Sequence, residues 1–119
     1  MICRVINRTN RRVIVEKAKI ARTFSHRLLG YLLRSKISDC EGLIFYDAPS
    51  IHTFFMRVAI DIVFVDENMK VAKIYNNCAP WRLASCASSF FVLELAAGKL
   101  ATIPVRVGDE LEVTLMSAS

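Results

Sequence analysis

The chain has 119 residues, a net charge of +5 and a hydrophobic fraction of 54%. That length fits one domain, residues 1–119, around one core, and so apolar a composition excludes intrinsic disorder. No run of about eighteen uncharged apolar residues occurs, because Arg57 and Asp61 interrupt the best candidate, which excludes a membrane-spanning helix. No apolar leader follows the N-terminal arginines, so a cytoplasmic protein with no membrane partner is expected.

In chain order, "CRVIN" and "RRVIVEKAK" flank the turn-prone "NRTN", which predicts an N-terminal hairpin. In its second arm Val13 and Val15 alternate with Arg12, Ile14 and Glu16, the pattern of a half-exposed strand. The period then changes. Phe24, Leu28, Leu29, Leu32 and Leu33 recur at three and four, which predicts one short helix near residues 23–34 with Thr23 or Ser25 as its cap. Gly30 within it costs about 1 kcal/mol relative to Ala, which close packing against a neighbouring backbone would offset. From residue 42 strand patterns return in "GLIFY", "VAKIY", "FFVLELA" and "ELEVTLM". Between two of them "NNCAPWRLASCAS" reads as a long polar loop carrying the only tryptophan, Trp81. Strands at this spacing with one helix predict a mainly β, compact sandwich or barrel.

The run "IHTFFMRVAIDIVFVD", residues 51 to 66, is the most apolar stretch and yet holds two opposite charges. Read as one strand, its even positions from Phe54 to Phe64 are all apolar, while Arg57 and Asp61 share the other face. Four residues of straight strand span about 13 Å, too far for direct contact. A bend near Val58–Ala59 is therefore expected to bring them together, with Glu94 nearby, because Glu94 shares a strand face with Phe90 and Val92. A lone buried charge costs several kcal/mol, so each must find a partner or water.

Charge is unevenly placed: residues 1–36 carry +9 and residues 37–119 carry −4. No aromatic interleaves the basic residues before Phe24, which argues against nucleic acid as a partner. Cys3, Cys40, Cys78 and Cys86 form no C-x-x-C pair, and they read as reduced thiols, with a Cys78–Cys86 bond left open. His26 and His52 stand on separate elements and the acids are unclustered, so no metal site and no cofactor are expected. Nucleophilic candidates are Cys86 or Ser85 with His52 or His26. An Asp61–Glu94 acid–base pair is opposed by the neighbouring arginine, which would depress both carboxyls.

The segments "GYLLR", "EGLIF", "HTFFMR", "IDIVFVD", "VLELAAG" and "VGDEL", in that order, resemble the prokaryotic family called domain of unknown function 192. The resemblance implies a compact, mostly β domain of jelly-roll type with no established activity. It departs in two places: Phe55 stands where the family usually has Trp, and only "VAI" separates Arg57 from Asp61, where many members have a longer connection with Asn-Thr. The expected function is a non-catalytic binding or accessory domain for a small polar or anionic ligand, with Arg57, Asp61, Glu94, Phe55, His52 and Trp81 around a polar groove. The alternatives are an enzyme using the same cleft and a basic nucleic-acid or assembly module using residues 1–36.

Overall fold

A computed structural model describes residues 2–21, 37–38 and 40–117. The helix expected near residues 23–34, with His26, lies outside the described residues. The remainder is strand-rich: β1 (Ile2–Asn7), β2 (Arg12–Ala21), β3 (Glu41–Tyr46), β4 (Ser50–His52), β5 (Ile60–Val65), β6 (Val71–Cys78), β7 (Leu83–Ser85), β8 (Phe91–Ala96) and β9 (Leu111–Ser117). One helical turn, α1 (Lys99–Thr102), lies between β8 and β9. It was not foreseen from the sequence.

Seven strands form one sheet in the order β6-β5-β8-β3-β2-β1-β9, and β4 and β7 pair separately. All neighbours are antiparallel except β2 and β3. The sheet rolls until its two edges meet. A bridge joins Lys70 to Glu110, and the backbone N–H of Val71 donates to Asp109 O at 2.8 Å while that of Leu111 donates to Met69 O at 2.7 Å. The mainly β expectation holds, and the sheet is a barrel closed at one point.

Side chains pointing into the barrel form one core: Val5, Ile14, Val15, Ala18, Ile44, Val63, Val65, Leu93, Leu95 and Leu111 among them. The outer face of β3, β5 and β8 carries a second core, Leu43, Ile60, Ile62, Phe64 and Val92, covered by Ile51, Met56 and Ala84 from β4, β7 and their flanks. The six residues of β5 and the six of β8 are accordingly buried on both faces. That double burial accounts for the apolar run; a buried Phe64 alone contributes about 2–3 kcal/mol.

Two strand expectations are corrected. In β2, Ile14 is fully buried beside Val15, because a register shift between the Val5↔Val15 and Ile6↔Val13 pairs inserts an extra residue and turns Ile14 inward. The run 51 to 66 is not one strand: β4 ends at His52, β5 begins at Ile60, and an irregular loop separates them.

Candidate functional site

The loop after β4 is held to the loop before β7 by one residue. Thr53 is fully buried, a polar side chain among apolar ones. Its backbone N–H donates to Arg82 O at 2.9 Å, and its carbonyl accepts from Trp81 N at 3.0 Å and Met56 N at 3.2 Å. Its hydroxyl donates to Ala79 O at 2.6 Å and accepts from Arg82 N at 2.9 Å. Every hydrogen-bonding group of Thr53 is thus spent on joining the two loops.

The joint presents aromatic rings. His52 stacks on Phe54 at 4.8 Å with an interplanar angle of 26°, and Phe54 stacks on Trp81 at 5.7 Å and 25°. Phe55 meets Trp81 edge-on at 4.7 Å. The Phe54 backbone N–H donates to His52 Nδ1 at 3.2 Å, which places the proton of a neutral ring on Nε2. Phe55 and Trp81 remain 61% and 55% exposed, and Leu83 beside them is exposed as well. Both aromatic residues also hold left-handed backbone, φ 68° and 65°. Bulky residues rarely adopt that region, which costs of order 1 kcal/mol each and concentrates at ligand sites.

Arg57 is exposed on the same loop as Phe55, and Arg82 follows Trp81. Among the described residues neither arginine forms an ion pair. The stretches 53–59 and 77–89 contain no Asp or Glu, and Arg82 Nη1 donates to Trp81 O at 3.4 Å.

Asp61 does not join these arginines, and it stands apart from Glu94. Across β5 and β8, Asp61 stands opposite Leu95 and Ile62 opposite Glu94. Paired residues share a face and successive ones alternate, so the two acids project from opposite sides of the sheet. Asp61 points into the barrel, where Oδ1 accepts from Asn77 N at 2.7 Å and Oδ2 from Leu100 N at 2.9 Å. The first donor is freed by a register shift that leaves Asn76 and Asn77 opposite Asp61 alone, with Asn77 at φ 51°. The second is an orphan N–H of the first turn of α1, entered through the left-handed Gly98. The expected Arg57–Asp61–Glu94 cluster is therefore corrected: the break after β4 leaves Arg57 outside, and Asp61 is a buried acceptor for two backbone donors.

Glu94 is fully buried on the outer face, on the side of Ile62 and Leu43. Burial pushes the Cys78 thiol up, Glu94 pushes it further, and Thr53 and Arg82 oppose this. Cys78 and Cys86 are both free. No group of three His, Cys, Asp or Glu able to hold a metal exists among the described residues. Of the six residues expected from sequence, the structure brings together His52, Phe55 and Trp81 with Arg57 on the same loop. Thr53, Phe54 and Arg82 were missed; the absence of acids around Trp81 was the one legible signal for Arg82.

The profile of domain of unknown function 192, described as an uncharacterised ACR, matches residues 5–113. The chain is similar to a UPF0127 protein of Thermococcus gammatolerans, 31% identical over 88% of this chain and 71% of the relative. It is likewise similar to a UPF0127 protein of Pyrococcus furiosus, 28% identical over 91% of this chain and 96% of the relative. Among solved structures it is similar to a protein of unknown function from Novosphingobium aromaticivorans, with a TM-score of 0.78 and 26% identity over 94% of this chain and 84% of that one. A putative transcription regulator from Sinorhizobium meliloti shares the fold, with a TM-score of 0.79 and 22% identity over 94% and 92% of the two chains.

Proposed function

This chain belongs to the family domain of unknown function 192, and we propose that it is a non-catalytic binding domain for a small anionic ligand, which docks on the Thr53-linked loops. The observation that carries this reading is the pair Phe55 and Trp81. Two large rings are held in strained backbone, in contact with each other and more than half exposed. The turn closed by Met56 N–H on Thr53 O sets the left-handed φ of Phe55. The exposure of both rings supports a surface kept for contact, and Arg57 and Arg82 give it the charge to favour an anion.

An enzyme at this surface has less support. An acid–base pair needs two carboxyls facing one substrate, and Asp61 and Glu94 face apart. The Cys78 thiol is pushed up, which disfavours the thiolate that a nucleophile requires. Nucleic acid is not the proposed partner either, because Arg4 pairs with Glu16 and Arg8 with Glu110 in the basic N-terminal third. Four free cysteines fit a reducing compartment, and cytoplasmic residence is part of the proposal. No helix among the described residues is long and apolar enough to cross a membrane.

The test uses Trp81, the only tryptophan, as its own reporter. Small carboxylates and phosphates are screened by thermal shift and by tryptophan emission. A ligand of this site raises the Tm and changes the emission in the wild type but does neither in Arg57→Gln. Stabilisation that persists in Arg57→Gln with silent Trp81 emission would place binding elsewhere and remove the proposal.

A further inference from the structure

The ring geometry narrows the ligand. His52, Phe54 and Trp81 form a column of near-parallel rings, with interplanar angles of 26° and 25° between successive members. The column begins at the half-buried His52 and ends at Trp81, which is 55% exposed. Phe55 stands edge-on to that last ring and is itself exposed. A column whose last ring is more than half exposed is extended most favourably by one more planar ring, since offset stacking gains dispersion and removes apolar faces from water. A ligand of charge alone would use the arginines and leave the rings idle.

Resting on the binding function proposed above, we infer that the ligand joins a planar aromatic or heteroaromatic ring to a phosphate or carboxylate. The ring stacks at the Trp81–Phe55 end of the column, and the anion is held by Arg57 and Arg82. Guanidinium groups suit this role because they bind planar oxyanions through paired N–H donors. Neither stretch carries an acid of its own.

Calorimetric titration of the full chain with three probes separates ring from charge: adenosine monophosphate, ribose 5-phosphate and adenosine. The monophosphate binds at least about tenfold tighter than either of the others, as expected for the loss of one stacked ring or one paired anion. Phe55→Ala weakens the monophosphate about tenfold and leaves ribose 5-phosphate unchanged, whereas Arg57→Gln weakens both phosphates and spares adenosine. Equal binding of ribose 5-phosphate and the monophosphate overturns the ring and leaves the anion site standing. Equal binding of adenosine and the monophosphate overturns the anion. Binding that neither variant alters, or no heat from any probe at millimolar concentration, overturns this inference. The carboxylate and phosphate screen with Arg57→Gln decides the binding function separately.

Discussion

At the scale of single residues, the two charges of one apolar run have unrelated tasks. Asp61 is 1% exposed and satisfies one donor from a bulge and one from a helix end. Removing it strands the buried N–H of Leu100, at a cost of about 1–3 kcal/mol, and the part-buried N–H of Asn77. Asp61→Ala should therefore lose about 3 kcal/mol or more in denaturant unfolding, while Arg57→Met, at an exposed position, stays within about 0.5 kcal/mol of wild type. A severe loss in Arg57→Met would restore the buried ion pair expected from sequence. Tyr75 offers a second residue-scale test. Its hydroxyl donates to Ser85 O at 3.1 Å and accepts from Ser85 N at 3.0 Å, with Lys73 Nζ 4.9 Å from the ring centroid. Lys73 first, then the Ser85 backbone, holds the Tyr75 phenol below the ordinary tyrosine range, whereas burial pushes Tyr46 above it. A lowered folded pKa means the folded chain favours the phenolate more than the unfolded chain does. That contribution to stability is present above the ordinary tyrosine pKa and is lost as pH falls through the lowered value. In a near-ultraviolet phenolate titration Tyr75 should ionise before Tyr46, and Tyr75→Phe should delete the earlier phase.

At the scale of elements, the instructive case is "HTFFMRVA". Its alternation of side chains is that of a strand, and sequence periodicity cannot distinguish it from the loop that forms. What decides is tertiary: Thr53 bonds to Ala79, Trp81 and Arg82, about thirty residues on, and no local pattern encodes that. Phe55, His52 and Trp81 were legible as candidates, but Phe54 and the meeting of the rings were not. Nor was the separation of Asp61 from Glu94, which follows from how β5 and β8 align rather than from either strand alone. Thr53→Val keeps the shape of the side chain and removes only its hydroxyl, stranding Ala79 O and Arg82 N. The expected cost is about 2 kcal/mol, with faster amide hydrogen exchange at Arg82 and a weaker near-ultraviolet circular dichroism signal from Trp81. Thr53→Ser should restore both. Unchanged exchange at Arg82 in the valine variant would mean that the backbone bonds alone hold the loops.

At the scale of the whole molecule, β3, β6, β8 and β9 were legible because apolar runs, broken in β8 only by Glu94, are punctuated by turns, whereas β7 lies in what the sequence presents as a polar loop. Closure of the barrel was not legible, since it rests on a single bridge between Lys70 and Glu110 and on backbone bonds around Gly108 and Asp109. The closed wall divides the interior into an inner core and an outer one, and these should differ in how readily they open. The inner core is sealed by seven strands. Among the described residues, the outer one is covered by the three-residue strands β4 and β7, which pair with each other and not with the barrel, and by their loops. One buried thiol reports on each. Cys3 lies on the buried side of β1 with Val5, and Cys78 packs in the outer core with Ile60 and Ala84. Burial pushes both thiols up, so neither reacts quickly while covered, whereas Cys40 is exposed. Timed alkylation followed by peptide mass spectrometry should therefore label Cys40 first. In denaturant below the unfolding midpoint Cys78 should follow, with Cys3 reacting only at the rate of global unfolding. Cys78 and Cys3 appearing together at every denaturant concentration would show that the outer layer does not lift separately, and that the ring-bearing loops are as rigid as the barrel beneath them.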